Sequence, residues 1–195
     1  MAGTQASGEP IARAVAVSIA AQRRLVLVTG PPGAGKTTLA MPLAAELGFA
    51  LLAKDRIKEA LHDWLGEAEV DLAWSRRLGA ASMELLWALA ADAPAAVLDA
   101  NFWPDDPRPL GRIRDLADQP VEVFCACPVP ECRRRYATRA ASRHAVHLDG
   151  YHVQHSEDSF IRSARPLGLG AVIMVDTTTE VDIKALAREV RTSLP

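Results

Sequence analysis

The chain has 195 residues, 49% of them hydrophobic, and a formal net charge of −2 at pH 7. That length suits one α/β domain with a full core and would cramp two, and the apolar content excludes a disordered chain. The balanced charge excludes a global positive field that would draw the chain to nucleic acid or to an anionic membrane. The three cysteines, Cys125, Cys127 and Cys132, are odd in number and clustered, so they read as reduced thiols and not as a disulfide framework. The first residues lack the basic and apolar regions of a secretion signal, and no apolar run reaches membrane-spanning length. A cytoplasmic protein with no membrane partner is therefore expected; the sequence leaves its oligomeric state open.

In chain order, residues 1–9 read as a loose tail and 11–22 as a short helix. LVLVTG at 25–30 is a continuous apolar run ending in glycine, the pattern of a strand buried on both faces of a parallel sheet. A helix follows at 37–48; its Pro42 should kink it or lie near its first turn. FALLA at 49–53 is a strand, and 55–66 a helix with Ile57, Leu61, Trp64 and Leu65 on one stripe. Residues 70–92 make a second helical stretch, 95–100 a strand, 106–119 a helix and 121–127 a strand. A helix starts at 131–140, the last strand is 171–177 and the last helix 180–194. Strands alternating with helices predict a three-layer αβα domain around a five-stranded parallel sheet. The polar stretch within about 136–166 is least like core, and long segments of that kind often serve as lids.

One motif carries chemistry at once. Gly30-Pro31-Pro32-Gly33-Ala34-Gly35-Lys36-Thr37 fits G-x-x-x-x-G-K-[ST] at every fixed position, between an apolar strand and a helix. Glycines allow backbone N–H groups to point inward around a phosphate, and the helix N-terminus adds partial positive charge. Lys36 supplies a mobile cation for the β- and γ-phosphates, and the Thr37 hydroxyl can ligate Mg²⁺. Thr38 is placed to bond the α-phosphate. A plain glycine turn would explain the glycines but not Lys36 and Thr37 beside them.

Asp55 follows the second strand and opens a helix. It is either an N-cap or a general base that orients a hydroxyl toward the γ-phosphate. Asp99 ends the third strand, as a turn residue or as a partner of Mg²⁺. Arg133, Arg134, Arg135, Arg139 and Arg143 fall on one predicted helix, as a solvated basic face or as groups that stack on a base and fork onto phosphate. Phe102 and Trp103 follow a strand end where an α/β crevice forms, and could line an acceptor pocket. Trp64 and Trp87 read as core. His144, His147, His152 and His155 cluster in the polar stretch, where a mobile polar lid explains them better than zinc.

The blocks GPPGAGKTTLA, LLAKDRIKEAL, AAVLDANF and RRRYATR, in that order over roughly residues 24–192, resemble the small P-loop kinases of the adenylate-kinase-like group. The resemblance is to the AAA-type ATP-binding kinase branch that includes zeta toxin, chloramphenicol phosphotransferase, gluconate kinase and polynucleotide kinases. It implies a P-loop NTPase fold with strand order 2-3-1-4-5 and a helical lid. It implies catalytic roles for Lys36, Asp55 and Arg139, with Arg135 stacking on adenine, Arg139 on phosphates and Thr177 near the base. The implied activity is an ATP-dependent kinase, with ATP and Mg²⁺, moving the γ-phosphate to a hydroxyl of a small molecule. A polynucleotide 5′-hydroxyl kinase is a second reading, kept by Lys54, Arg56 and Lys58 beside Asp55. A zeta-toxin-like or regulatory nucleotide-binding protein is a third.

Overall fold

A computed structural model describes residues 23–66, 70–149 and 157–195. The tail and short helix expected within 1–22, and His152 and His155, lie outside the described residues. Five strands form one parallel sheet: β1 (Arg24–Thr29), β2 (Ala50–Ala53), β3 (Ala95–Asp99), β4 (Val121–Ala126) and β5 (Ala171–Asp176), in the order β2-β3-β1-β4-β5. β1 is central because it is apolar on both faces. Val26 and Val28 pack into one core cluster while Leu25 and Leu27 pack into the other. The first cluster is closed by α1 (Lys36–Leu47) and by the C-terminal helix at Ile183–Ser193, through Leu39, Leu43, Leu186 and Val190.

Between β2 and β3 lie α2 (Lys54–Leu65) and α3 (Leu72–Asp92); α4 (Pro107–Leu116) follows β3. Leu86 and Trp87 of α3 and Ile113 and Leu116 of α4 close the second cluster. α5 (Val129–Arg139) follows β4, and α6 (Glu157–Arg162) precedes β5. The C-terminal helix is α7, capped by the Asp182 carboxylate, which accepts from the Ala185 N–H.

Two buried charged side chains tie the layers together. Arg23 donates to the carbonyls of Ala91, Ala93 and Leu116 at distances of 2.6–3.2 Å, satisfying the C-terminal ends of α3 and α4. The Glu122 carboxylate accepts from the Thr29 hydroxyl and from the N–H groups of Leu167 and Gly168. It thereby pins the chain that returns from α6 to β5.

Pro42 sits inside α1, in its second turn. Three expectations are corrected. Trp64 is 89% exposed and is not core: α2 buries only Lys58, so its apolar stripe faces outward at its C-terminal end. Phe102 does not line an acceptor pocket; it is 3% exposed and stacks at 5.7 Å on Trp87. Arg143 is not on the helix of the other arginines, because α5 stops at Arg139 and a 3₁₀ turn at Ala140–Ser142 leads to an extended Arg143. The break swings the Arg143 side chain back over the C-terminal edge of the sheet.

Candidate active site

The C-terminal ends of β1, β2 and β3 open into a cleft of about 400 Å³. Open parallel sheets bind ligands there, where crossovers leave in opposite directions. Its floor is the loop 30–35. Gly30, Gly33 and Gly35 all have φ between 83° and 125°, in the left-handed region. At Gly33 a Cβ would lie 2.2 Å from the Cys132 carbonyl oxygen, so any side chain there would force the loop from α5. The loop ends at Gly35, which caps α1 with no side-chain hydrogen bond and leaves the first amides of α1 available to an anion.

Lys36 is 9% exposed, and its Nζ donates to the carbonyls of Gly30 and Pro31 at 2.8 and 2.9 Å. Burial lowers its pKa, and the nearby Asp99 opposes that shift. The Thr37 hydroxyl donates to Asp99 Oδ2 at 2.7 Å. Burial raises the pKa of Asp99, against the Thr37 hydrogen bond and Lys36. A hydroxyl and a buried, under-compensated carboxylate are hard oxygen donors side by side, which is a fitting site for Mg²⁺.

Asp55 stands in the first turn of α2 and is not its N-cap; that position is Ala53. Its carboxylate is held by the Arg143 guanidinium and, at 3.4 Å, by Lys54 Nζ. Burial pushes its pKa up, but Lys54, Arg143 and His147 outweigh that and hold it well below the usual carboxylate range. Arg143 also bonds Asp149, whose Oδ1 accepts from the Tyr136 hydroxyl at 2.8 Å. Beside it, His147 meets Glu59 at 2.7 Å and His144 meets Asp63 at 3.0 Å. Asp55, Glu59 and Asp63 are spaced four apart, so one acidic edge of α2 receives Arg143, His147 and His144 in turn.

Arg139 enters the cleft from the end of α5, with its guanidinium 5.1 Å over the Tyr136 ring. Its Nε is buried without a hydrogen-bond partner, an orphaned donor that an anionic ligand would satisfy. The far rim is closed by Arg162 of α6, which lies 4.1 Å from the Trp103 ring and bonds Asp105 at 3.0 Å.

The structure thus brings Lys36, Thr37, Asp55, Asp99 and Arg139 to one cleft. Arg135 and Thr177 lie apart from it. Arg135 donates to the Thr177 carbonyl at 3.0 Å and to Glu131, while the Thr177 hydroxyl donates to Ala34 in the loop. Thr38 is an exposed residue of the first turn of α1. Sequence reasoning missed the partner of Asp55: Arg143 is 88 residues away, and nothing in its local pattern marks it. It read Lys58 as part of a basic patch beside Asp55 and gave Asp149 no role, whereas both are buried charged groups of the cleft.

Fold and loop together define a P-loop nucleotide-binding protein with the architecture of small kinases. The chain belongs to the AAA domain family, matched over residues 25–162. A Chloroflexus aurantiacus protein, a kinase by assignment only, is 30% identical with a TM-score of 0.73, over 89% of this chain and all of that one. An APS kinase from Mycobacterium tuberculosis, in complex with AMPPNP and APS, is 20% identical with a TM-score of 0.54, over 88% of this chain and 97% of that one. A sugar kinase from a Janibacter species is 18% identical with a TM-score of 0.50, over 88% and 94%. The last two likenesses are of fold. No curated protein matches the chain.

Proposed function

We propose that the chain is a single-domain ATP-dependent kinase that transfers the γ-phosphate to a hydroxyl of a small molecule. The observation that carries this reading is Asp55. It is a carboxylate on the wall of the same cleft as the phosphate loop, held ionised and aimed by Arg143, with Lys36 and Thr37 lining the floor. The relative of 30% identity, assigned as a kinase, supports the same class.

In this mechanism the loop amides and Lys36 bind the β- and γ-phosphates of ATP. Thr37 and Asp99 would hold Mg²⁺, which neutralises charge on the phosphate oxygens when bound. Asp55 accepts a hydrogen bond from the acceptor hydroxyl and orients its oxygen in line with the γ-phosphorus. The transition state for phosphoryl transfer is loose, so positioning matters more than base strength. That suits a carboxylate whose pKa lies well below the usual range. Arg139 supplies charge to the transferring group, and its unsatisfied Nε is the donor left for that purpose. The segment 140–149 and α6 wall the cleft and keep water from competing.

Asp55→Ala tests the reading. Transfer to a small-molecule acceptor should fall by at least 10³-fold while ATP affinity stays within a few-fold, measured by phosphoryl transfer and by nucleotide titration. Transfer at the native rate by the variant would remove Asp55 from the mechanism.

A further inference from the structure

The lysines beside Asp55 suggest a nucleic-acid surface when read as sequence, but their placement points elsewhere. Arg56 faces outward and is exposed, whereas Lys54 and Lys58, one helical turn apart on α2, both line the cleft. Lys58 is only 5% exposed. Its Nζ donates to the Ser75 hydroxyl at 2.7 Å, and that hydroxyl donates on to the Val146 carbonyl. Among the described residues no carboxylate pairs with it: Asp55 and Asp149, the nearest acids, are both bonded to Arg143. A buried ammonium without an anionic partner is costly unless a ligand supplies one. Its pKa is lowered to about 8, chiefly by burial and then by Lys54.

The donor does not supply that anion on the reading above, because its phosphates are engaged by the loop, Lys36 and Arg139. On the α2 side of Asp55, three cations (Lys54, Lys58 and Arg143) face two carboxylates (Asp55 and Asp149). Lys58 and Asp55 line the first cleft alone, and a ligand bound there has room to extend past Lys54. A second cleft of about 710 Å³ runs between α3 and α4 and shares Lys54, Asn101 and Trp103 with the first. Trp103 offers a flat apolar wall and Asn101 an amide, a pairing suited to a polyhydroxylated body.

We propose that the acceptor is an anionic hydroxyl compound, whose carboxylate or phosphate is bound by Lys54 and Lys58 while a hydroxyl of the same molecule meets Asp55. This rests on the kinase reading of the cleft, and it adds the acceptor's chemical class. Charge at that end would select against neutral alcohols, because they leave the Lys58 ammonium buried and unpaired.

The test is calorimetric titration of the protein saturated with AMPPNP and Mg²⁺, so that the donor half is filled. The probes are hydroxy carboxylates (glycerate, gluconate), sugar phosphates (ribose 5-phosphate, glucose 6-phosphate) and their neutral counterparts (glycerol, ribose, glucose). At least one acid should bind ten-fold or more tightly than its neutral counterpart, and the two acid sets separate a carboxylate from a phosphate. Lys58→Met should weaken the acid at least ten-fold and leave the neutral compound unchanged, and Lys58→Arg should restore part of the loss. Lys54→Met is a parallel variant if Lys58→Met proves unfolded by circular dichroism. The proposal is overturned if no acid outbinds its neutral counterpart, or if the lysine variants bind the acid as the native protein does. Efficient phosphorylation of a neutral alcohol would also overturn it, with the kinase reading intact. A Lys58-dependent acid that binds but receives no phosphate would sink the kinase reading and leave the anion site standing.

Discussion

The phosphate-loop side of the cleft is made by consecutive residues, 30–37, whereas the side around Asp55, the proposed acceptor side, draws on α2, the segment after α5 and the turn after β3, with α3 behind it. The first is built from backbone. Its binding groups are amides held by three glycines with positive φ, and the side chains Lys36 and Thr37 follow without a gap. The second is built from side-chain charges. Asp55, Arg143, Asp149 and Tyr136 form one connected set, and Lys58, Ser75 and Val146 form another beside it. A backbone cradle fits any polyphosphate and needs only a local turn. A side-chain site can be retuned one residue at a time, which suits the half of a kinase that differs between acceptors.

The contrast makes separable predictions. The largest effect should come from Lys36→Ala, which removes the one buried cation of the loop. Phosphoryl transfer should drop by 10³-fold or more, and nucleotide titration should weaken alongside it. Arg143→Ala acts on the other half. It leaves Asp55 with Lys54 alone and, among the described residues, the buried Asp149 carboxylate with Tyr136 alone, so the KM for the acceptor should rise 10- to 100-fold with nucleotide affinity little changed. If nucleotide affinity falls equally, the two halves are not independent.

Trp87→Ala and Trp64→Ala compare a buried with an exposed tryptophan. The first should cost roughly 3–5 kcal/mol in chemical denaturation, and the second should stay within about 0.5 kcal/mol. Lys58→Met should stabilise the fold by roughly 1–3 kcal/mol at pH 7, since it removes a buried, unpaired charge. A stabilised protein with a weakened acceptor site would mark Lys58 as kept for function.

The smallest effects are in pH dependence. Lys58 titrates near 8 when folded against an ordinary 10.5, so the unfolded chain binds more protons between those values and stability should rise with pH across that window. Lys58→Met should flatten the rise. His147 is shifted down by burial from its ordinary 6.5, despite Asp55 and Glu59. Folding therefore weakens as pH falls below about 6.5, and His147→Gln should reduce that slope. The groups facing His147 are Glu59, Asp55, Arg143 and Lys58, and a change at any of them shifts the same slope.

The layers were legible because an apolar run such as 25–28 sits in the middle of a covered parallel sheet, while the strand order came with the family resemblance. Glycine signalled the C-terminus of α1, where Gly48 adopts φ 71° and returns its N–H to the carbonyls of Ala44 and Ala45. Trp64 misled, because helical periodicity marks a shared face without saying which neighbour covers it. Phe102 and Trp103 are adjacent and chemically alike, yet one enters the core and the other the cleft rim. That division depends on Trp87, which approaches only after α3 has packed on the sheet.

By itself the sequence determined the phosphate loop, since a short turn between strand and helix needs nothing from elsewhere in the chain. It also put Asp55 and Asp99 each at a strand end; that the two ends are neighbours follows from the pairing of β2 with β3, which sets Ala53 opposite Asp99. Only the tertiary structure decided what surrounds Asp55. The 3₁₀ turn after Arg139 ends the run of arginines and sends Arg143 across 88 residues of sequence to reach it. The same folding buries Lys58 between α3 and the 145–147 turn. Ion pairing and burial depend on distance in space, and residues so far apart in the chain carry no local periodicity that would reveal them.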